Sequence, residues 1–208
     1  MFIFGSGYSI NDLTEDECRY FEQHDTLGFN QFFHQRIIRT DYHLIRELAE
    51  NDFDPKSWKP EVKTYFNIIA NNPYYRNTVF LVQTGFRAMN GNRAIGLRLL
   101  PIDNMIYLWR SLVKRPEYSP SLKLGLAHRY STLEECVNFA FLLGWKAIVL
   151  VGIDLYDRRY FWLGPNETTG LETRRNASFD QNHSTAGGGM IDNLGRWARD
   201  FERQGVKV

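Results

Sequence analysis

Cysteine is scarce in this chain: 208 residues carry two, Cys18 and Cys136. They lack metal-ligand spacing, and Cys136 sits in an apolar helical pattern. Both read as free thiols in a reducing compartment, not as a disulfide staple or a zinc site. Long hydrophobic runs are also missing. No stretch approaches the roughly 20 apolar residues of a membrane-spanning helix, and Met1–Gly5 is too short for the apolar core of a signal peptide. The expected location is the cytoplasm, with peripheral contact at the inner face of a membrane left open. Charge of one sign is not in excess, with 25 Lys and Arg against 24 Asp and Glu. That balance removes any general electrostatic reason to bind nucleic acid.

Three motifs are absent as well. No Walker-type lysine follows the first glycine loop, which argues against a nucleoside triphosphatase. No Asp-x-Asp pair follows any strand read from the sequence, so a metal bridging a diphosphate is not indicated. No Cys/His cluster supports zinc. No metal and no cofactor are therefore expected.

What is present is an ordinary globular composition rich in aromatics, at 15%. Such a share builds a large core or a stacking surface for a ring-bearing ligand. Phe2-Ile3-Phe4 reads as a buried strand ended by the turn Gly5-Ser6-Gly7. Thr14 with Glu17 makes a capping box for a helix reaching about His24, and Asp25–Asn30 reads as a second strand. Arg36–Asp41 reads as a third strand, Tyr42–Asn51 as a helix, Asn51–Pro60 as a polar loop and Glu61–Asn71 as a helix. Thr78–Gln83 is a strand and Gly85–Arg93 a loop, while Leu97–Leu126 has no clear period. Ser131-Thr132 opens a helix with Glu134 and Glu135 in its first turn and Gly144 at its end. Lys146–Val151 is a strand, Ile191–Gln204 an amphipathic helix, and Val206–Val208 opens another strand. The pattern predicts one α/β domain over residues 1–208, Rossmann-like, with a mostly parallel sheet flanked by helices.

In such a sheet ligands bind at the carboxyl ends of the strands. Four ends carry suitable groups: Gly5, Ser6 and Gly7 with Ser9; Gly28 with Asn30; Thr40 with Asp41; Gly152 with Asp154 and Tyr156. Glycine lets backbone amides approach a phosphate, or simply makes a tight turn. Asn30 can donate to a phosphate oxygen and Asp154 can accept from a ribose hydroxyl. Tyr156 and Tyr160 flank Arg158-Arg159; the two phenols either meet one phosphate or pack under the loop. Arg129, before the capped helix, either reaches a phosphate or makes a surface ion pair. His183 lies in a polar loop before the last helix, as a general base or a structural histidine. The long segment 157–190 has the character of a lid.

These residues resemble the bacterial family 42 sialyltransferases and sialyltransferase-like proteins of surface-polysaccharide synthesis. The likeness rests on Phe4-Gly5-Ser6-Gly7-Tyr8-Ser9, Asn30-Gln31-Phe32, Arg129 before Ser131-Thr132, and Gly152-Ile153-Asp154-Leu155-Tyr156 with Tyr160. It implies a GT-A-type Rossmann variant, a CMP-sugar donor, a glycan acceptor and no metal. Carried over, the glycine-loop residues Gly5, Ser6, Gly7 and Ser9 hold the nucleotide with Asn30, which takes phosphate and ribose, and Asp154 takes the ribose; Asp41 and Gly152 at strand ends and Ser131 and Thr132 at the capped helix start complete the expected nucleotide-binding set. Tyr156 and Tyr160 assist departure of the CMP phosphate, and Arg129 sits near it or near the acceptor. The family carries Ser-His-Tyr-x-Gly-His and uses its second histidine as base. Here Asn182-His183-Ser184 matches the first, and the second position falls near Gly187: either His183 takes over as the base, or the acceptor is different, or the chain is not catalytic. Ser6 and Tyr8 stand where the family has Asn and Pro. The expected function is metal-independent transfer of an acidic sugar, sialic acid or similar, from a CMP-sugar donor to a surface glycan. Two alternatives stay open: a pterin diphosphokinase-like enzyme on a similar fold, and a non-catalytic nucleotide-binding module. Self-association also stays open.

Overall fold

A computed structural model describes residues 1–46, 55–84, 89–100, 103–113, 117–164, 167 and 186–208. Seven strands form one sheet: β1 (Phe2–Phe4), β2 (Thr26–Phe29), β3 (Tyr42–Ile45), β4 (Val79–Thr84), β5 (Ile106–Val113), β6 (Leu126–His128) and β7 (Val149–Val151). Their order is β6-β5-β4-β3-β2-β1-β7, and every pairing is parallel. Five helices accompany them among the described residues: α1 (Glu15–Phe21), α2 (Pro55–Ala70), α3 (Met89–Gly96), α4 (Thr132–Leu143) and α5 (Met190–Glu202). This is the α/β, Rossmann-like architecture that the alternation of elements predicts. None of the described helices is long and apolar enough to cross a membrane.

Local signals behave as their chemistry requires. The Thr14 hydroxyl accepts from the Glu17 amide while the Glu17 carboxylate accepts from the Thr14 amide, so α1 starts on a complete capping box. At the other end of the molecule, α4 stops at Gly144, whose φ of +92° is the left-handed cap that glycine adopts without steric cost. Every residue of α4 from Thr132 to Ala140 is buried, so this helix is covered on all sides until its last turn, where Leu143 is exposed. One face of the sheet packs Ile3, Leu27, Leu44, Leu81, Trp109 and Leu126 against Leu133, Val137 and Ala140 of α4 and Trp197 and Phe201 of α5. On the opposite face, Ile45, Phe80 and Val82 meet Val62, Tyr65, Phe66 and Ile69 of α2.

Several expectations need correction. The third strand is Tyr42–Ile45, not Arg36–Asp41. A central parallel strand is buried on both faces, so its four residues show no alternation, and the polar residues after them completed a false helical period. Residues 36–41 form a loop instead, organised by the Gln35 side chain, whose Oε1 accepts from the Ile37 and Ile38 amides at 2.7 and 3.0 Å. The expected loop Asn51–Pro60 is helical from Pro55, with Pro60 inside α2. The expected loop Gly85–Arg93 is helical from Met89. β5 arises in the stretch without clear period, and β6 begins at its last residue. At the chain's end, Lys207 bridges Ala147 in parallel, extending the sheet beside β7.

Candidate functional site at the β1–β7 switch point

The chain steps in one direction from β1 to β6, and then α4 carries it back across the sheet so that β7 lies on the other side of β1. Connections leave β1 and β7 in opposite directions, and a crevice at the carboxyl ends of such a pair is the usual ligand position in open α/β sheets. The two loops with the strongest sequence motifs, after β1 and after β7, meet there.

They are joined along their length. The Gly5 amide donates to the Val151 carbonyl at 2.8 Å and the Gly7 amide to the Gly152 carbonyl at 2.9 Å. Asp154 then accepts from Ser9 twice, Oδ2 from the amide at 2.7 Å and Oδ1 from the hydroxyl at 2.6 Å. Further on, the Phe161 amide donates to the Ser6 carbonyl at 3.3 Å and Gly7 bridges Tyr160.

This zipper explains the glycines. A Cβ on Gly7 would lie 2.5 Å from the Asp154 carboxyl carbon, and one on Gly5 would lie 2.6 Å from the Gly152 carbonyl oxygen. Gly152 adds a φ of +65°. The close approach served here is that of one loop to the other. Two of the amides expected to cradle a phosphate, at Gly5 and Gly7, are already committed. Ser6 differs: neither its amide nor its hydroxyl donates to any described residue. Asp154, expected to hold a ribose, latches the two loops by accepting from Ser9 once on each oxygen, and each oxygen keeps a second lone-pair site.

The expected leaving-group residues lie on the β7 loop. Tyr156 is 74% exposed, and its phenol has no partner among the described residues. Tyr160 is half-buried, its ring 4.6 Å from that of Trp162, which in turn stacks on His34 at 5.0 Å. Burial, and next the positive charge of Arg36, push the His34 imidazole down to about 4. Arg159 is held by Asp157 and covers the Tyr8 ring at 4.0 Å.

Beside this crevice, the carboxyl end of β2 carries Asn30. Its φ of +46° is left-handed, one of only two such non-glycine residues among those described. Asn tolerates that region better than most side chains. The Asn30 amide donates to Thr132 Oγ1 at 3.1 Å, and its Oδ1 accepts from the Arg46 amide at 3.4 Å. An Asn amide offers two donors and two acceptor sites, so one of each remains.

The segment Arg129–Ser131 is organised by a residue that the sequence motif did not single out for this role. The Glu134 carboxylate, fully buried, accepts at Oε2 from the amides of Arg129, Tyr130 and Ser131 at 2.9, 2.7 and 3.1 Å. Its Oε1 accepts from Asn193 of α5 at 2.6 Å. The anion position at the start of α4 is thus filled by the chain's own carboxylate. Ser131 turns its hydroxyl to Met190 Sδ at 2.9 Å. Arg129 stays exposed, its guanidinium 4.8 Å from the Tyr130 ring centre. Next to it, His128 Nδ1 stands 3.4 Å from Glu135 Oε1 with both side chains buried. Burial, then the Arg46 charge, push His128 down to about 4, against a hydrogen bond with the Ser131 backbone. Burial dominates, so this imidazole is neutral at ordinary pH.

Asp41 does not belong to the site. It lies just before β3, at the amino edge of the sheet, where Arg39 pairs with it at 3.1 Å and the Thr26 amide and hydroxyl donate to it. The misplacement follows directly from reading β3 one segment too early. His183, with residues 165–166 and 168–185 of the expected lid, lies outside the described residues. Asp52-Phe53-Asp54, between β3 and α2 in the sequence, lies outside the described residues. Among the described residues no group of three or more His, Cys, Asp or Glu is placed to hold a metal ion. Comparison with protein-family models, with curated proteins and with solved structures finds no match to the chain.

Proposed function

We propose that this chain transfers an acidic sugar from a CMP-sugar donor to a surface-glycan acceptor, with the nucleotide seated at the β1–β7 switch point. The observation that carries the reading is the meeting of the two motif loops at that point, with the Tyr156 phenol exposed and without a partner among the described residues, on the loop that latches onto Ser9. Ser6 and the remaining donor of Asn30 are the groups available to a phosphate or ribose oxygen. Tyr156 and Tyr160 stabilise the departing phosphate by donating from their hydroxyls, and Arg129 supplies an exposed cation. His183 takes the acceptor proton. The donor, acceptor, cytoplasmic setting and peripheral contact with a membrane all belong to this proposal.

Titration calorimetry with CMP, followed by CMP release from CMP-sialic acid with and without EDTA, tests it. Binding of CMP and turnover that survives EDTA are expected. A chain that neither binds CMP nor releases it refutes the reading. CMP binding without turnover of any donor would instead favour a non-catalytic nucleotide-binding module. The alternative is a magnesium-dependent diphosphate chemistry of the pterin diphosphokinase-like kind. In that case magnesium with ATP raises the Tm and CMP does not.

A further inference from the structure

The left-handed backbone of Asn30 points its carbonyl into the protein, where two buried side chains receive it. His43 Nε2 lies 3.1 Å from the Asn30 carbonyl oxygen, and the Tyr65 hydroxyl donates to the same oxygen at 3.4 Å. A carbonyl only accepts, so Nε2 carries the ring proton. The other nitrogen, Nδ1, must then accept, and the Tyr75 hydroxyl faces it at 3.2 Å. Burial drives the His43 imidazole down to about 3, so the ring is neutral and its tautomer is set by these neighbours. Space is made for the ring by Gly28, its register partner on β2: a Cβ there would lie 2.9 Å from His43 Nδ1.

We propose that His43 is a positioning residue for the ligand site, holding Asn30 in its left-handed conformation so that the Asn30 amide faces the ligand. The inference deepens the CMP-sugar reading and rests on it for the identity of the ligand. His43 touches no ligand itself. The ring fixes the carbonyl, the carbonyl fixes the backbone, and the backbone aims the side chain. A buried imidazole serving only stability would need no particular nitrogen on Asn30. This arrangement needs a donor at Nε2, which a glutamine can supply and a leucine cannot.

The test compares His43→Gln, His43→Leu and Tyr65→Phe by three readouts: Tm, the Kd for CMP, and the NMR resonances of the Asn30 side-chain amide. Binding is measured well below each Tm. His43→Leu is expected to weaken CMP about tenfold, as the loss of one hydrogen bond implies, and to shift the Asn30 amide resonances. His43→Gln should restore both, even where its Tm stays low. Tyr65→Phe removes one hydroxyl and should shift the same resonances to a smaller degree, an arm that does not require the His43 variants to fold. Equal effects of His43→Gln and His43→Leu on Kd, tracking Tm, overturn the proposal. Asn30 resonances that stay unmoved in both His43→Leu and Tyr65→Phe overturn it too. If wild-type chain does not bind CMP, the functional reading fails alone, and the Asn30 resonances still decide the positioning role.

Discussion

Replacing Asp154 with alanine separates a latch from a ligand contact. The carboxylate accepts two short hydrogen bonds from Ser9, at 2.7 and 2.6 Å, across 145 residues of sequence. Hydrogen bonds to a charged group are worth about 1.5–3 kcal/mol each in net terms. Asp154 is only partly buried, so water replaces some of what is lost, and a total of about 3 kcal/mol is expected. For a chain of 208 residues, each kcal/mol moves Tm by about 2–4 °C, so Asp154→Ala should melt about 6–12 °C lower. Ser9→Ala, which keeps the amide donor, should cost about 1 kcal/mol. The two together should show a coupling of about 1–2 kcal/mol in a double-mutant cycle. Calorimetric melting gives these values, and titration with CMP and 2′-deoxy-CMP gives the second half of the test. A latch predicts that Asp154→Ala weakens both nucleotides by the same factor. An unchanged Tm together with a loss confined to CMP would show the carboxylate facing a ribose and refute the latch.

Glu134→Ala strips the acceptor from three amides and Asn193, and should cost about 3–5 kcal/mol by urea unfolding. Glu134→Gln, which keeps one oxygen for the amides, should cost distinctly less. Burial holds His34, His43 and His128 below the ordinary histidine value, at about 4, 3 and 4. The unfolded chain therefore binds these protons first as pH falls below about 6.5, and stability drops through the window from there to about 4. The slope is up to about 1.4 kcal/mol per pH unit for each fully titrating histidine, less for the partly exposed His34; a urea midpoint flat between about pH 7 and 4.5 would contradict it. Tyr156→Phe removes an exposed hydroxyl and should leave Tm unchanged within about 1 °C. Release of CMP from CMP-sialic acid should nevertheless fall at least about tenfold.

Legibility varied with the range of the interaction. The Thr14–Glu17 box, the Gly144 cap and the strands flanking the two motif loops were readable because their causes lie within a few residues. The third strand was not, since burial on both faces erases periodicity and the choice between helix and strand falls to the neighbours β2 and β4. Asp41 was carried to the wrong end of the sheet by that single shift.

By itself, the sequence determined an α/β chain with a glycine-turn loop after its first strand and a Gly-Ile-Asp-x-Tyr loop after its last long apolar run. It also supplied the residue types at the strand ends. Only the tertiary structure decided what those residues do for one another. Gly5 and Gly7 are small because another loop presses against them, Asp154 latches onto Ser9, and Glu134 fills the anion position at the start of α4. Hydrogen-bond capacity is finite and short-ranged, so which groups remain for a ligand depends on partners more than a hundred residues away. The same reason hides His43, an unremarked histidine in the sequence, until Tyr75, Tyr65 and the Asn30 carbonyl are brought around its ring.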